Sequence, residues 1–198
     1  MTNETEGRRA YIRQQLDSRM AGGRYSAGLV SELMSCVEND SANIFSILQE
    51  IEVLECTPNA RQTRTKKAAP FTGPLLRGLW HKHHSQAVFI ARNLEIQWGL
   101  DKPRKEPKKL INRITTIVQS STIPDEKKIE ALAEMFVSDG YRERGEAHGI
   151  TGEWIVYARH EGVNHYLTLG THTEGDDAIR ARVLACCGEF PYLDFYNA

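Results

Sequence analysis

The run Trp80-His81-Lys82-His83-His84 holds three of the chain's seven histidines within four residues. Imidazole changes charge near neutral pH and is the commonest neutral metal ligand, so such a run can serve acid–base chemistry, a metal or a phosphate. As zinc ligands the three are poorly completed. Spacing of i,i+2 suits a strand and i,i+3 a helix, but no cysteine or carboxylate adjoins them, and His148 or His172 would have to finish a tetrahedron. A phosphodiester acid–base set is better supplied. Metal-independent RNA cleavage needs a base for the ribose 2′-hydroxyl, an acid for the leaving oxygen and cations for the pentavalent phosphate. His81, His83 and His84 offer the imidazoles and Lys82 and Arg77 the positive charge, with no cofactor or metal required. The third reading is a basic surface turn anchored by Trp80, without chemistry.

The charge around the run favours a polyanionic partner such as RNA. Residues 1–60 are net −4, residues 61–109 net +9 and residues 110–198 net −6, although the whole chain is −1. A block that basic is an electrostatic footprint for phosphate, each neutralised phosphate releasing counterions. Docking of the block on its own acidic flanks is the alternative. No apolar run approaches the length of a membrane helix, and the acidic N-terminus has no apolar core of the kind a secretory signal needs. The four cysteines form no metal knuckle and read as reduced thiols of a cytoplasmic protein. Gly-rich phosphate loops, nucleophile elbows and His-Glu-x-x-His are absent, which argues against P-loop, hydrolase and zincin chemistry.

Helices and a hairpin must position these residues. Tyr11, Ile12, Leu16 and Met20 form one helical stripe, ended by Ala21-Gly22-Gly23. Ser26 opens a second helix with Leu29, Val30, Leu33, Met34 and Val37 on one face. Ser41 opens a third, carrying Ile44, Phe45, Ile47, Leu48, Ile51 and Leu54 and ended by Thr57-Pro58-Asn59. Residues 1–57 therefore read as a helical bundle separable from the rest of the chain, 58–70 as a basic linker, and 71–198 as an α+β domain. Within that domain Ser85–Trp98 is a helix candidate and 101–109, with Pro103 and Pro107, a basic loop. Leu110, Ile111, Ile114, Ile117 and Val118 make the clearest amphipathic stripe in the chain, and Pro124 starts another helix that ends before Gly140. The period then changes to 2 at Glu153–Ala158 and His165–Leu169, a hairpin, before a last helix over Asp176–Cys187. The order implies helices on a small antiparallel sheet.

The hairpin sharpens the site. Pairing His160 with His165 puts Trp154, Val156, Ala158, Leu167 and Leu169 on a core face. The other face then collects Tyr157, Arg159, Tyr166 and Thr168, with Glu153 and His172 at its end. That set could bind phosphate through Arg159, stack a base on a tyrosine and move a proton with His172. The competing reading is a solvated outer face. His148 reads as a loop residue, and His160 and His165 as exposed flanks of the turn.

The strand–turn–strand–helix tail, Glu153–His160, then His165–His172, then the last helix, comes after helices and a basic histidine segment. In this it resembles the barnase/colicin/RelE-like superfamily of metal-independent ribonuclease toxins, over residues 71–195. The resemblance implies a sheet face on which His81, His83, Arg159, Tyr166, Thr168 and His172 do the chemistry. It also implies a toxin or phage-defence role and an antitoxin or immunity protein as partner, received by residues 1–57. The alternative is a regulatory protein that binds nucleic acid or protein through its basic middle without catalysis.

Overall fold

The computed structural model describes residues 2–193 except 21, 59 and 103. Ala21 and Asn59, expected to help end the first and third helices, and Pro103 of the basic loop lie outside the described residues. So do residues 194–198, in the last part of the expected α+β domain. The elements run α1 (Thr2–Asp17), β1 (Arg24–Tyr25), α2 (Ala27–Glu38), α3 (Ile44–Leu54), β2 (Ala69–Pro70), β3 (Leu79–His84), α4 (Ile90–Trp98), α5 (Lys108–Val118), α6 (Asp125–Glu134), α7 (Gly140–Glu146), β4 (Glu153–His160), β5 (Val163–Gly170) and α8 (Asp176–Ala185). The fold is α+β, helices packed on a five-stranded sheet of order β1-β5-β4-β3-β2. The sheet is mixed and not wholly antiparallel, because β1 runs parallel to β5. No helix among the described residues is long and apolar enough to cross a membrane.

The chain divides elsewhere than at residue 57. One compact unit is Met1–Gln86 with Gly152–Ala198; the other, Ala87–Thr151, is inserted between β3 and β4. The first three helices do not close a bundle of their own. The stripes of α2 and α3 are wide enough to need a second surface, and they bury Leu29, Leu33, Ile47 and Ile51 in one core with Ile155, Tyr157 and Tyr166 of the sheet. The other sheet face carries Leu79, Val156, Ala158 and Leu167 under Ile179 and Val183 of α8. Ser26 joins the layers. Its Oγ caps α2 by accepting from the Leu29 N–H at 2.9 Å and donates to the Leu167 carbonyl at 2.6 Å. α3 starts slightly later than Ser41 predicts, with Asn43 as its cap.

The hairpin forms, in a tighter register than expected. Glu161 and Gly162 both have positive φ, 49° and 80°, the two-residue turn whose twist matches that of paired strands. His160 therefore pairs with Val163, and His165 with Ala158. An irregularity at Val156/Tyr157 then shifts the pairing so that Val156 meets Thr168 and Ile155 meets Leu169, leaving Leu167 as the extra residue. Both faces of the hairpin are covered by helices, which the alternation pattern alone did not reveal. His165 is buried, not an exposed flank.

In the inserted unit, Asn93 is the buried tie. Its amide donates to Phe89 O and Thr151 O, both at 2.9 Å, and its oxygen accepts from Arg144 Nε at 2.8 Å. Trp98 Nε1 donates to Phe136 O at 2.9 Å within a π-helical turn, Met135–Asp139. Gly140 lies under that indole, where a Cβ would come within 2.7 Å of Nε1. The stripe of α5 is only half used: Leu110 is buried, while Ile111, Ile114 and Val118 stay exposed. The helix expected from Ser85 begins at Ile90 after a 3-10 turn, Ala87–Phe89; the chain is still paired as a strand through His84, and Gln86 Oε1 accepts from the Asn43 N–H at 2.7 Å.

Candidate active site

The histidine run is a strand, β3, paired with β4 from Leu79↔Ala158 to His84↔Glu153. Side chains alternate across a strand, so the run is divided between the two faces of the sheet. His81 and His83 point to the side of α8. Lys82 and His84 point to the side of α3.

On the α8 side the rings gather. His81 lies 5.5 Å from His83 and 4.6 Å from Phe71, centroid to centroid, and His83 stacks at 5.4 Å on His172, which arrives from the loop after β5. Trp154, the β4 partner of His83, sits 5.4 Å from His81 and 4.3 Å from His172. One carbonyl organises the group. Gly152 O accepts from His83 Nδ1 at 2.7 Å and from His172 Nε2 at 2.9 Å. A carbonyl can only accept, so it assigns the proton to those two nitrogens; the Gly152 N, 3.3 Å from His83 Nδ1, is the weaker contact. The approach is possible because residue 152 has no side chain: a Cβ there would stand 1.8 Å from His84 O. The His172 N–H donates to Glu153 Oε2 at 2.8 Å, which fixes the loop.

Accessibility grades the three imidazoles. His83 is buried at 3% exposure, His81 is half-buried and His172 is exposed. Burial pushes His83 down to about 4, and it pushes His81 down as well, with His172 and the Lys66 ammonium adding to the shift. A half-buried imidazole that stays unprotonated at neutral pH is suited to accepting a proton. Burial pushes the Glu153 carboxyl up. Arg182 is committed elsewhere, to Glu174 at 2.7 Å and Glu32 at 3.0 Å. Among the described residues no three His, Cys, Asp or Glu side chains are arranged to hold a metal ion.

The remaining sequence-selected residues are not in this group. Lys82 is 4% exposed, its Nζ 2.8 Å from Glu50 and donating to the Lys66 carbonyl at 2.9 Å, with Thr65 as a further partner. Strand parity, invisible without knowing that the run is extended, carries it away from its neighbours. His84 is buried on the same side, its Nδ1 3.0 Å from Gln86 Nε2, and burial pushes it down to about 4. Tyr157 and Tyr166 lie in the core beneath α1–α3, and Tyr166 donates to Glu55 at 2.6 Å. Thr168 is 1% exposed and donates to Glu32 at 2.6 Å. Arg159 is exposed on the face opposite His83, its guanidinium 3.9 Å above the Trp80 ring. Arg77 is exposed just before β3, at the far end of the strand from His84.

Three contributors were not picked out by sequence reasoning: Lys66, Phe71 and Trp154. Lys66 lies in an aperiodic connector. No periodicity in residues 60–68 marks it, so nothing local in the sequence sets it beside the histidines. Alternation places Trp154 on a core face, and that is the face the histidines share. No family model matches the chain, and no curated protein or solved structure matches it.

Proposed function

We propose that the protein cleaves RNA without a metal, using His81 and His172 on the α8 side of the sheet, as a cytoplasmic enzyme of toxin or phage-defence type. The observation that carries this reading is the convergence of His81, His83 and His172 on one face, drawn from widely separated segments of the chain. His81 takes the proton of the ribose 2′-hydroxyl as its oxygen bonds to phosphorus. The bond from phosphorus to the 5′-oxygen breaks, and that oxygen receives a proton from His172, leaving a 2′,3′-cyclic phosphate and a new 5′-hydroxyl. Lys66 supplies the cation for the phosphate, in place of Lys82 and Arg159. His83 is a positioning residue, because it shares Gly152 O with His172. A restraining partner protein would seat on α1–α3, where Tyr11, Val37 and Phe45 are exposed around an apolar recess of about 230 Å³.

Purified protein is expected to degrade single-stranded RNA in EDTA. His81→Ala and His172→Ala are each expected to lower turnover by about 10²-fold or more while leaving RNA affinity in place. The second reading, a binder of polyanions without chemistry, is favoured by the exposed run Arg61, Arg64, Lys66 and Lys67 beside a buried Lys82. It predicts salt-dependent RNA binding and no cleavage, a result that would remove the catalytic proposal.

A further inference from the structure

Among the described residues, two buried ring nitrogens of the histidine face have no hydrogen-bond partner: His81 Nδ1 and Trp154 Nε1. Their rings adjoin, with centroids 5.4 Å apart. Buried polar atoms without a partner are rare enough to need an explanation. The indole nitrogen is the more informative of the two because it can only donate. Whatever completes it must be an acceptor. The other buried indole of the chain shows the ordinary outcome, since Trp98 Nε1 donates to the Phe136 carbonyl at 2.9 Å.

The surroundings narrow the acceptor. Trp154 is enclosed by rings: Phe71 edge-on at 5.4 Å, His81 at 5.4 Å, His83 at 6.3 Å and His172 edge-on at 4.3 Å. None of these ring contacts brings the indole N–H an oxygen. The Lys66 ammonium lies close enough to act on both His81 and His83, so the local field favours an anionic oxygen over a neutral one. His172 is the exposed ring of the set, so the group opens to solvent on the side where that imidazole meets the substrate.

We propose that the Trp154 indole N–H, beside His81 Nδ1, donates to a non-bridging oxygen of the substrate phosphate. The assignment rests on the RNA-cleaving reading of the same site and adds to it the donor that stabilises the charge developing on phosphorus. It makes Trp154 a residue whose ring could be kept by phenylalanine and whose function could not.

The test uses the indole N–H signals of the full chain in a two-dimensional ¹H–¹⁵N spectrum. There are three tryptophans, and Trp154→Phe identifies the relevant signal by its loss. Titration with inorganic phosphate, and separately with uridine 3′-monophosphate, is expected to shift the Trp154 signal downfield with saturation, while the Trp98 signal stays in place. In cleavage assays Trp154→Phe is expected to lower kcat by about 10²-fold with little change in KM. A Trp154 signal that neither ligand moves, as an ordered water on Nε1 would give, overturns the proposal. So does an unchanged kcat in Trp154→Phe. If the wild-type chain cuts no RNA, the catalytic reading fails alone, and the phosphate titration still decides the role of the indole.

Discussion

Replacing Lys82 separates a structural cation from a phosphate-binding one. Its ammonium is 2.8 Å from Glu50 Oε2, and both side chains are under 5% exposed. At an effective dielectric near 20 the attraction across that distance is about 6 kcal/mol, largely offset by the loss of water from both groups. Lys82→Met cannot offset it. The variant leaves a buried carboxylate with only the hydroxyls of Thr63 and Thr65, at 2.8 and 2.9 Å. Breaking one side of a buried pair costs about 3–5 kcal/mol, whereas replacing both sides by apolar groups is close to neutral. Lys82→Met is therefore expected to lose about 3–5 kcal/mol in urea denaturation followed by tryptophan fluorescence, and Lys82→Met with Glu50→Leu to recover most of it. At roughly 2–4 °C per kcal/mol for a chain of this size, the melting temperature of the single variant falls by about 6–20 °C. RNA affinity of the folded variant at low temperature should match the wild type. A Lys82→Met protein that keeps its stability and loses RNA affinity would refute the assignment.

Two further outcomes concern the histidines and the glycine beside them. His83 and His84 are held near a pKa of about 4 by burial, against an ordinary 6.5, so on acidification the unfolded chain takes up protons first. Stability is then level above pH ~6.5 and falls between about 6.5 and 4, by up to about 1.4 kcal/mol per pH unit for each histidine. Melting curves at neutral, mildly acidic and more acidic pH within that window should show the slope, and His84→Leu should flatten part of it; a level profile would contradict the burial. Gly152→Ala places a methyl 1.8 Å from the His84 carbonyl, a backbone atom of the paired strand that cannot yield as a side chain can. A loss of about 3 kcal/mol or more is expected, together with a displaced His172 side chain, seen as a shifted imidazole resonance; a variant with both unchanged counts against the role given to this carbonyl.

Much of the architecture was legible, and the misreadings have physical causes. The 3.6-residue stripes over Leu29–Met34 and Ile44–Leu54 and the period-2 runs of the hairpin depend on local alternation, which one sequence displays. Whether a face meets solvent or a second layer does not. Tyr157, Tyr166 and Thr168 looked like an outer face because polar atoms need partners. For Tyr166 and Thr168 those partners, Glu55 and Glu32, come from residues far away in the chain. Register failed at the turn for a related reason: four residues between apolar runs can be a loop or a two-residue turn with one more pair on each strand. β1 and β2 are two residues long, too short to impose a pattern. The histidine run stands out by composition, but what each imidazole does depends on the run being a strand. Alternation set His81 and His83 against His172, and gave Lys82 and His84 to the opposite layer.

The pairing of His84 with Glu153 means that the whole of Ala87–Thr151 leaves and returns at neighbouring points of one ladder. Such a segment behaves as a greatly enlarged turn. Loop closure grows by only about 0.6 kcal/mol for each doubling of length, so passing from about four residues to about sixty-five adds about 2–2.5 kcal/mol to zipping β3 against β4. A short Gly-rich bridge from Gln86 to Gly152 would abolish that penalty, and the strands it joins already hold every imidazole of the cluster but His172. A minimal form of this protein is thus within reach of a single deletion.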